Sequence, residues 1–370
     1  MSGVYIHIPF CRQSCIYCNF YFKNGNQQSE ELVYSLLKEI DLKINKPPFE
    51  LETVYFGGGT PSFIAPELIQ KILEKLYLKF GTEKLSEITL EANPDDINLS
   101  NLQQWKAMGI HRLSLGVQSF FDHHLKWMNR AHNVQEAEQA IQLASEMGFE
   151  LSMDLIFGIP GSTAEEWAFN LEKANTYHIQ HLSCYSITLE DNTPWKKLVK
   201  TKNYPLPNDD LASAQFLYAE KFLDEKGWIH YEISNYCKPS FMAKHNTSYW
   251  QEKPYIGLGP SAHSYDGNTR SWNVADINTY IKEINAGNLP QESETLGQKE
   301  KFNEYVMTGL RTIWGINSEK MSGFGLDTTA VLGQLEQYVS EGLVIQEGHT
   351  YQLSDQGKLY ADAIASALFM

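Results

Sequence analysis

The sequence predicts an α/β fold, in which six parallel β/α units form a partial, TIM-like barrel and a small winged-helix-like α+β module follows. Three observations predict it. Strand-like and helix-like segments alternate six times before about residue 235. Glycine-rich or polar segments follow the strands, which is typical of the rim of a parallel barrel where chemistry is done. After residue 235 the alternation ends, and a helix–helix–hairpin–helix pattern occupies the C-terminal part.

Each predicted strand is a short, mostly apolar run that ends at polar or glycine residues. The six strands are Val4–Ile8, Leu51–Phe56, Glu87–Leu90, His111–Val117, Glu150–Phe157 and His181–Leu189. The predicted helices include Glu30–Ile44, a helix from Pro66, one capped by Asn133, and Thr163–His178. This spacing suits right-handed crossovers, and therefore a parallel sheet that curls into a barrel.

Changes in composition divide the chain into three predicted domains: a core barrel over 1–235, an extension over 236–299 and a C-terminal domain over 300–370. The extension is rich in aromatic, Gly, Pro and Asn residues, and we expect it to close the open side of the partial barrel. The C-terminal domain resembles a winged helix, with a hairpin at Leu343–Leu353 and a last helix from Asp355. It has no basic stripe, so capping or partner contact is expected rather than DNA binding.

Composition excludes several classes of function. The net charge of −15 argues against broad nucleic-acid binding. No run of about 18 apolar residues is present, and no secretory signal is evident. Three of the five cysteines are clustered, which fits metal ligation in a reducing compartment. We therefore expect a cytoplasmic protein, and peripheral contact with a membrane stays open.

The three clustered cysteines, Cys11, Cys15 and Cys18, have the spacing C-x3-C-x2-C and follow the first strand. Three thiolates this close suit a cubane iron–sulfur cluster, in which the fourth iron stays open to a small molecule. A structural zinc site and ordinary buried thiols are the alternatives. Zinc requires a fourth donor, which only His7 or the distant Cys184 and Cys237 offer.

This loop, with Tyr17 before its last cysteine and Tyr-Ile-His-Ile-Pro-Phe-Cys at its start, resembles the signature of radical S-adenosylmethionine (SAM) proteins. The leading residues resemble those of one branch of this family, which contains oxygen-independent coproporphyrinogen III oxidase and the HemW-type heme chaperones. The resemblance implies a [4Fe-4S] cluster and SAM, whose amino and carboxylate groups chelate the open iron. It also implies reductive cleavage of SAM to a 5′-deoxyadenosyl radical.

Gly57-Gly58-Gly59-Thr60-Pro61 follows the second strand and is, by itself, an ordinary tight turn. It resembles the family's triple-glycine motif, which lets the methionine part of SAM approach the backbone closely. The resemblance implies that Glu91 holds the SAM ammonium and Arg130 its carboxylate. It assigns Gln118 and Asp154 to the ribose or nearby polar atoms, although each polar residue taken alone is more often a hydrogen-bonded structural group.

The same resemblance implies that one or two SAM molecules bind. In the two-molecule version, one set of residues is Tyr5, Gly58, Glu91, Ser186 and His263, and the other is Tyr17, Thr60, Gln118, Arg130 and Asp154. No catalytic residue is assigned.

Two features distinguish between the members of this branch. The oxidase has a fourth cysteine where this chain has Phe20, and His245-Asn246-Thr247-Ser248-Tyr249-Trp250 fits the His-Asn-x-x-Tyr-Trp motif of the heme chaperones. Imidazole is a natural axial ligand of heme iron, so His245 is the predicted heme ligand, and a hydrogen-bonded structural histidine is the alternative. We therefore expect a heme chaperone that passes heme to an acceptor protein. Radical decarboxylation of coproporphyrinogen III is the second hypothesis, and radical modification of RNA or protein has little support.

Overall fold

The computed structural model describes residues 2–202 and 204–370. Over these ranges the chain forms seventeen strands, numbered in chain order. They are β1 (Gly3–Ile8), β2 (Phe10–Cys11), β3 (Lys23–Asn24), β4 (Thr53–Gly58), β5 (Glu87–Ala92), β6 (Arg112–Gln118), β7 (Glu150–Phe157), β8 (His181–Ser186), β9 (Ile229–Glu232), β10 (Asn235–Cys237), β11 (Tyr255–Leu258), β12 (His263–Tyr265), β13 (Thr269–Asn273), β14 (Gln291–Thr295), β15 (Ile316–Asn317), β16 (Val344–Glu347) and β17 (Thr350–Leu353).

The same ranges contain fifteen α-helices and two short 3-10 helices, the latter at Pro61–Phe63 and Pro94–Asp96. The α-helices are α1 (Ser29–Lys43), α2 (Pro66–Phe80), α3 (Leu99–Ala107), α4 (Asp122–Trp127), α5 (Val134–Glu146), α6 (Ala164–Thr176), α7 (Pro194–Lys202), α8 (Asp209–Glu225), α9 (Lys244–Trp250), α10 (Ile277–Asn285), α11 (Gln298–Leu310), α12 (Ser318–Ser322), α13 (Thr329–Ser340), α14 (Asp355–Lys358) and α15 (Ala361–Ala367).

The six predicted strands are β1, β4, β5, β6, β7 and β8, and they pair in parallel in that order. The predicted α/β class with a parallel six-stranded core is therefore confirmed. Asn133 and Thr163 both form capping boxes, at the N-termini of α5 and α6, which fixes where these crossover helices begin. Because all six strands end on the same edge, the segments that follow them meet at one rim.

The extension differs from its predicted arrangement. Strand β11 pairs in parallel with β1, and β12, β13 and β14 continue the same sheet antiparallel. The twelve strands described run from β14 at one edge to β9 at the other, so the sheet is open and the extension lengthens it instead of closing it by strand pairing. The two ends of the sheet nevertheless face a common cavity, which is described below.

The C-terminal module has its own hydrophobic core, built around Phe302, Val306 and Leu335. Its hairpin, β16–β17, turns at Gly348 and carries a third strand, β15, which the sequence pattern did not predict because it is only two residues long. Together with α11, α13 and α15 this confirms the expected α+β arrangement. Among the described helices, none is long and apolar enough to cross a membrane.

Candidate cluster and ligand site

The cysteine loop is held against the segment that precedes Arg130. The side chain of Gln13 donates to the carbonyl of Asn129 at 3.0 Å, and Asn129 donates from its side chain to the carbonyl of Ser14 at 2.7 Å. The backbone N–H of Ile16 donates to Met128 at 3.2 Å. These bonds fix the loop that carries the cysteines at the carboxyl end of β1, where Cys11, Cys15 and Cys18 line one pocket.

Two of the three thiols accept a hydrogen bond, one from a cationic side chain and one from a hydroxyl group. Arg130 donates from Nη1 to Cys15 Sγ at 3.3 Å, and Thr60 donates its hydroxyl to Cys11 Sγ at 3.7 Å. Burial nonetheless raises the pKa of Cys11 to about 12 and that of Cys18 to about 11, and the charges of neighbouring thiolates add to the increase. A strongly positive ligand is therefore needed to hold Cys11 and Cys18 as thiolates, which is what a metal centre supplies.

The spacing of the sulfur atoms discriminates between the metal centres. Two thiolates on one zinc ion lie at most about 4.6 Å apart, since each Zn–S bond is about 2.3 Å. Within the described residues, the three cysteine sulfurs do not form a group in which all lie within 4.8 Å of one another. His7, the nearest fourth donor, already has both ring nitrogens hydrogen-bonded, to Tyr5 and to the carbonyl of Tyr21. The donor set therefore suits a cubane cluster, in which the three thiolates bind different irons, better than a single zinc ion.

The glycine turn after β4 passes directly beside the cysteine loop. A Cβ on Gly59 would lie 2.8 Å from the carbonyl oxygen of Phe10, so a side chain is excluded by backbone atoms. Gly58 has φ +114, and a Cβ there would meet the His7 ring at 2.7 Å. Glycine is therefore required at both positions for the turn to pack against the cysteine loop, and both glycines line the same pocket as the cysteines.

Glu91, at the end of β5, is a buried carboxylate aimed at this turn. It accepts hydrogen bonds from Tyr55 at 2.8 Å and from the N–H of Gly58 at 3.2 Å. Burial raises its pKa to about 7, against the effect of these hydrogen bonds, and Asp154 adds to the increase. Such a carboxylate is poorly compensated by the protein alone, and a bound ammonium group would compensate it.

Arg130 lines the same pocket, and both of its terminal nitrogens are hydrogen-bonded, Nη1 to Cys15 as described above. Its Nη2 donates to Asn93 Oδ1 at 2.6 Å and to the carbonyl of Gly116 at 2.9 Å. Its Nε atom is buried and has no hydrogen-bond partner among the described residues. The buried, unpaired donor is consistent with a guanidinium that receives a carboxylate.

Two further strand ends contribute polar groups. Asp154 on β7 accepts from Ser114 at 3.4 Å, and burial raises its pKa to about 6. Gln118, the last residue of β6, has φ 68, an uncommon conformation for a residue with a side chain. A Cβ on Gly116 would lie 3.0 Å from both Gln118 Nε2 and Arg130 Nη2, so these two side chains are neighbours.

Most of the predicted site residues share one pocket, which we name the cluster pocket; its volume is about 420 Å³. Twelve of the fifteen candidates line it: Cys11, Cys15, Tyr17, Cys18, Gly58, Gly59, Thr60, Glu91, Gln118, Arg130, Asp154 and Ser186. The contribution of Asn93, which fixes Arg130, was missed, because a short amide after a strand gives no distinctive signal.

The other candidates lie elsewhere. Tyr5 and His263 line a neighbouring cavity of about 980 Å³, which we name the aromatic cavity. It shares Phe20 and Tyr185 with the cluster pocket. The predicted SAM set that combines Tyr5 and His263 with Gly58, Glu91 and Ser186 is thus divided between two adjacent spaces.

His245 does not line either space. It is completely buried, with Nδ1 hydrogen-bonded to Thr53 Oγ1 at 2.8 Å and Nε2 to the Tyr249 hydroxyl at 2.7 Å. Both ring nitrogens are occupied, so the geometry favours the structural alternative over the predicted role as heme ligand. The rest of its motif is placed differently: Asn246, Tyr249 and Trp250 line the aromatic cavity.

The aromatic cavity lies between the two ends of the sheet. One wall comes from β9–β10, another from β11–β13, and helix α11 contributes Met307 and Thr308. Its cationic residues are Lys253, Arg270 and Arg311. None of the three was singled out in the sequence, because isolated basic residues in an irregular segment have no spacing to mark them.

Comparison with known proteins identifies the family of this chain. Residues 5–174 match the radical SAM superfamily, and residues 296–360 match the HemN C-terminal domain. A heme chaperone HemW from Bacillus subtilis is 32% identical, with 99% of each chain covered. This chain belongs to the HemW family.

A second HemW, from Escherichia coli, is 30% identical and covers 98% of this chain and 96% of its own. The fold resembles the solved coproporphyrinogen III oxidase (HemN) of Escherichia coli, with a TM-score of 0.85 and 22% identity over all of this chain and 90% of that one. Membership in the radical SAM superfamily implies SAM and a [4Fe-4S] cluster, and the HemW-like branch predicted from the cysteine loop is confirmed.

Proposed function

We propose that this protein is a heme chaperone, which binds heme in the aromatic cavity and transfers it to an acceptor protein. The observation that carries the proposal is the cavity itself. It has a volume of about 980 Å³ and is walled by aromatic side chains, including Tyr249, Trp250 and Tyr265. A flat, largely apolar macrocycle with two carboxylates requires such a space, with aromatic faces inside and cations near its edge. The full-length similarity to HemW proteins supports the same ligand.

The cluster pocket is proposed to hold the [4Fe-4S] cluster and SAM. Cys11, Cys15 and Cys18 supply the thiolates, and a bound cluster supplies electrons to the SAM sulfonium. Glu91 and Arg130 lie where an ammonium and a carboxylate would each find an opposite charge. Tyr17, Gln118, Asp154 and Ser186 complete the proposed contacts, and we assign no catalytic residue.

The contact between the two spaces supports a functional link. Phe20 and Tyr185 line both spaces, so a molecule in one space can contact side chains that also line the other. Phe20 is 69% exposed in this chain and stands in the cysteine loop itself. We infer that occupancy of the cluster pocket influences the binding or release of heme.

The acceptor is proposed to be a heme protein, and transfer is proposed to occur in the cytoplasm or at a membrane surface. None of the five cysteines, all of which lie in the described residues, forms a disulfide bond, which suits a reducing compartment. The net charge of −15 argues against a nucleic-acid partner.

Spectroscopic titration tests the proposal. Anaerobically reconstituted protein is titrated with hemin and followed in the Soret region, and apomyoglobin is then added as a sink of known spectrum. We expect saturable binding of one heme and its release to the sink. Absence of a Soret change with the wild-type protein would overturn the proposal.

A parallel assay addresses oxidase activity. Reductant, SAM and coproporphyrinogen III are supplied under the same conditions, and the products are separated by chromatography. We expect no multiple turnover. Repeated decarboxylation of coproporphyrinogen III would contradict the proposed chaperone function and support an oxidase instead.

A further inference from the structure

We infer that His263, and not His245, supplies the axial ligand to heme iron in the aromatic cavity. The inference rests on the proposed function, and it identifies the atom that holds the cargo. Heme iron in proteins is held by His, Cys, Met or Tyr side chains. Among the described residues that line the cavity, the histidines are His7 and His263.

His7 is already committed to the protein. Its Nδ1 is 3.1 Å from the Tyr5 hydroxyl, and its Nε2 is 3.0 Å from the carbonyl oxygen of Tyr21. His7 is only 6% exposed. Using it as a ligand would break a buried hydrogen bond and leave the partner of that bond unpaired.

The imidazole of His263 has the opposite character. It is exposed, and no side-chain hydrogen bond occupies either ring nitrogen within the described residues. Its ring lies against Trp272, with centroids 6.1 Å apart and planes inclined by 29°. Partial burial and the charge of Arg270 lower its pKa, which favours the neutral imidazole that can ligate iron.

The backbone that carries His263 is packed closely against β11, and a ligand is best positioned on such a packed element. A Cβ on Gly257 would lie 1.9 Å from the His263 carbonyl oxygen, so β11 and β12 approach as closely as glycine allows. The N–H of Gly257 donates to Ser264 Oγ at 2.9 Å. Ser261, two residues before the ligand, has φ 64 in the turn that leads into β12.

The hairpin formed by β12 and β13 places three kinds of side chain, an imidazole, aromatic rings and a guanidinium, on one face. His263 is opposite Trp272 and Tyr265 is opposite Arg270, so these four side chains share one face of the hairpin. His263, Tyr265 and Arg270 all line the cavity. The face therefore presents an imidazole for iron, an aromatic ring for the macrocycle and a guanidinium for a propionate.

The test compares hemin binding by the wild-type protein, His263→Gly, His245→Gln and His178→Gly. His178 is an exposed histidine outside both spaces, and it provides the matched control. We expect His263→Gly to weaken binding at least roughly tenfold and to alter the Soret and electron paramagnetic resonance spectra. Added free imidazole should restore the wild-type spectrum in this variant alone.

The outcomes separate this inference from the proposed function. A wild-type protein without a Soret band overturns both. Normal binding by His263→Gly together with loss of binding by a folded His245→Gln overturns only the ligand assignment. Loss of tight SAM binding in His263→Gly, with hemin binding unchanged, would instead assign the imidazole to SAM and overturn the inference.

Discussion

The Nε2 atom of His245 and the hydroxyl of Tyr249 lie 2.7 Å apart, one helical turn from each other in α9. On its other side, His245 contacts Thr53 of β4 at 2.8 Å. The histidine thus joins α9 to the parallel sheet and orients a tyrosine that lines the aromatic cavity. We infer that His245 belongs to the His-Asn-x-x-Tyr-Trp motif because it holds Tyr249 in the wall of the aromatic cavity.

Replacing His245 by alanine should therefore reduce stability. The change leaves the hydroxyls of Thr53 and Tyr249 without their buried partner, so we expect the free energy of unfolding to fall by about 2–4 kcal/mol. Urea denaturation followed by circular dichroism measures this change. His245→Gln, which retains a hydrogen-bonding side chain, should lose less. An alanine variant as stable as wild type would contradict the structural role.

The pH dependence of stability follows from the same histidine. Burial lowers the pKa of His245 to about 3, below its ordinary value of 6.5. Below about pH 6.5 the unfolded chain gains a proton at this histidine, while the folded chain does not. The free energy of unfolding therefore decreases as the pH decreases, by up to about 1.4 kcal/mol per pH unit for this group. Urea midpoints measured from pH 7.5 to 5 should decrease less steeply in His245→Gln. An identical slope in both proteins would contradict this assignment.

The sequence predicted the strands well because each is a short apolar run followed by glycine or polar residues. Glu150–Phe157, for instance, is the observed β7 without any shift. The environment of His245 was beyond such reasoning, since its partner Thr53 lies 192 residues away in sequence. A motif identifies residues that belong together, but hydrogen-bond partners from distant strands decide which of them faces a ligand.

The aromatic cavity illustrates a second limit. Its walls come from both ends of an open sheet and from α11, and no local pattern predicts which irregular segments meet there. The cluster pocket was predictable because its residues follow consecutive parallel strands, whose carboxyl ends must meet at one rim. Arg270 and Arg311 follow no such rule.

The cysteine loop gives a prediction with internal controls. Anaerobic reconstitution of the wild-type protein should yield a brown protein with about four iron and four sulfide per chain. Cys11→Ala, Cys15→Ala and Cys18→Ala should each lose most of this iron. Cys184→Ala and Cys237→Ala, at buried positions outside the cluster pocket, should retain it. Retention of iron by all five variants would exclude the proposed ligands.

Arg130 should influence both the cluster and SAM. Its Nη1 lies 3.3 Å from Cys15 Sγ, so Arg130→Gln removes a positive charge beside the proposed cluster. We expect a more negative reduction potential, because a cation stabilises the reduced, more negative state, and weaker SAM binding. Redox titration monitored by electron paramagnetic resonance measures the first effect. The control is Lys126→Gln, which removes an exposed positive charge on α4. Equal reduction potentials in the wild-type protein, Arg130→Gln and Lys126→Gln would contradict the prediction.

Glu91 predicts how SAM affinity depends on pH. Burial raises its pKa to about 7, so it becomes protonated and loses its attraction for an ammonium as the pH falls through this value. SAM binding should weaken below pH 7 by a factor that approaches about tenfold per unit. Equilibrium binding from pH 8 to 6 measures it. Glu91→Gln should bind weakly without this dependence, whereas Asp154→Asn should retain it; a flat wild-type profile would contradict the role of Glu91.

We expect Arg270, at the edge of the aromatic cavity, to bind a propionate group of heme. The guanidinium lines the cavity and is held by Glu304 at 2.7 Å, so it is positioned but not enclosed, with 35% of its side chain exposed. A propionate there would form a charge-assisted, bidentate hydrogen bond. Arg270→Gln should therefore weaken hemin binding roughly threefold to tenfold.

Hemin dimethyl ester separates this contact from general damage to the cavity. The ester lacks both carboxylates, so wild-type protein and Arg270→Gln should bind it with the same affinity, while Arg270→Lys should retain part of the preference for the free acid. Lys282→Gln, which removes an exposed charge on α10, should not change the affinity for either ligand. If Arg270→Gln weakened the binding of acid and ester equally, the guanidinium would act through packing and the propionate contact would be wrong.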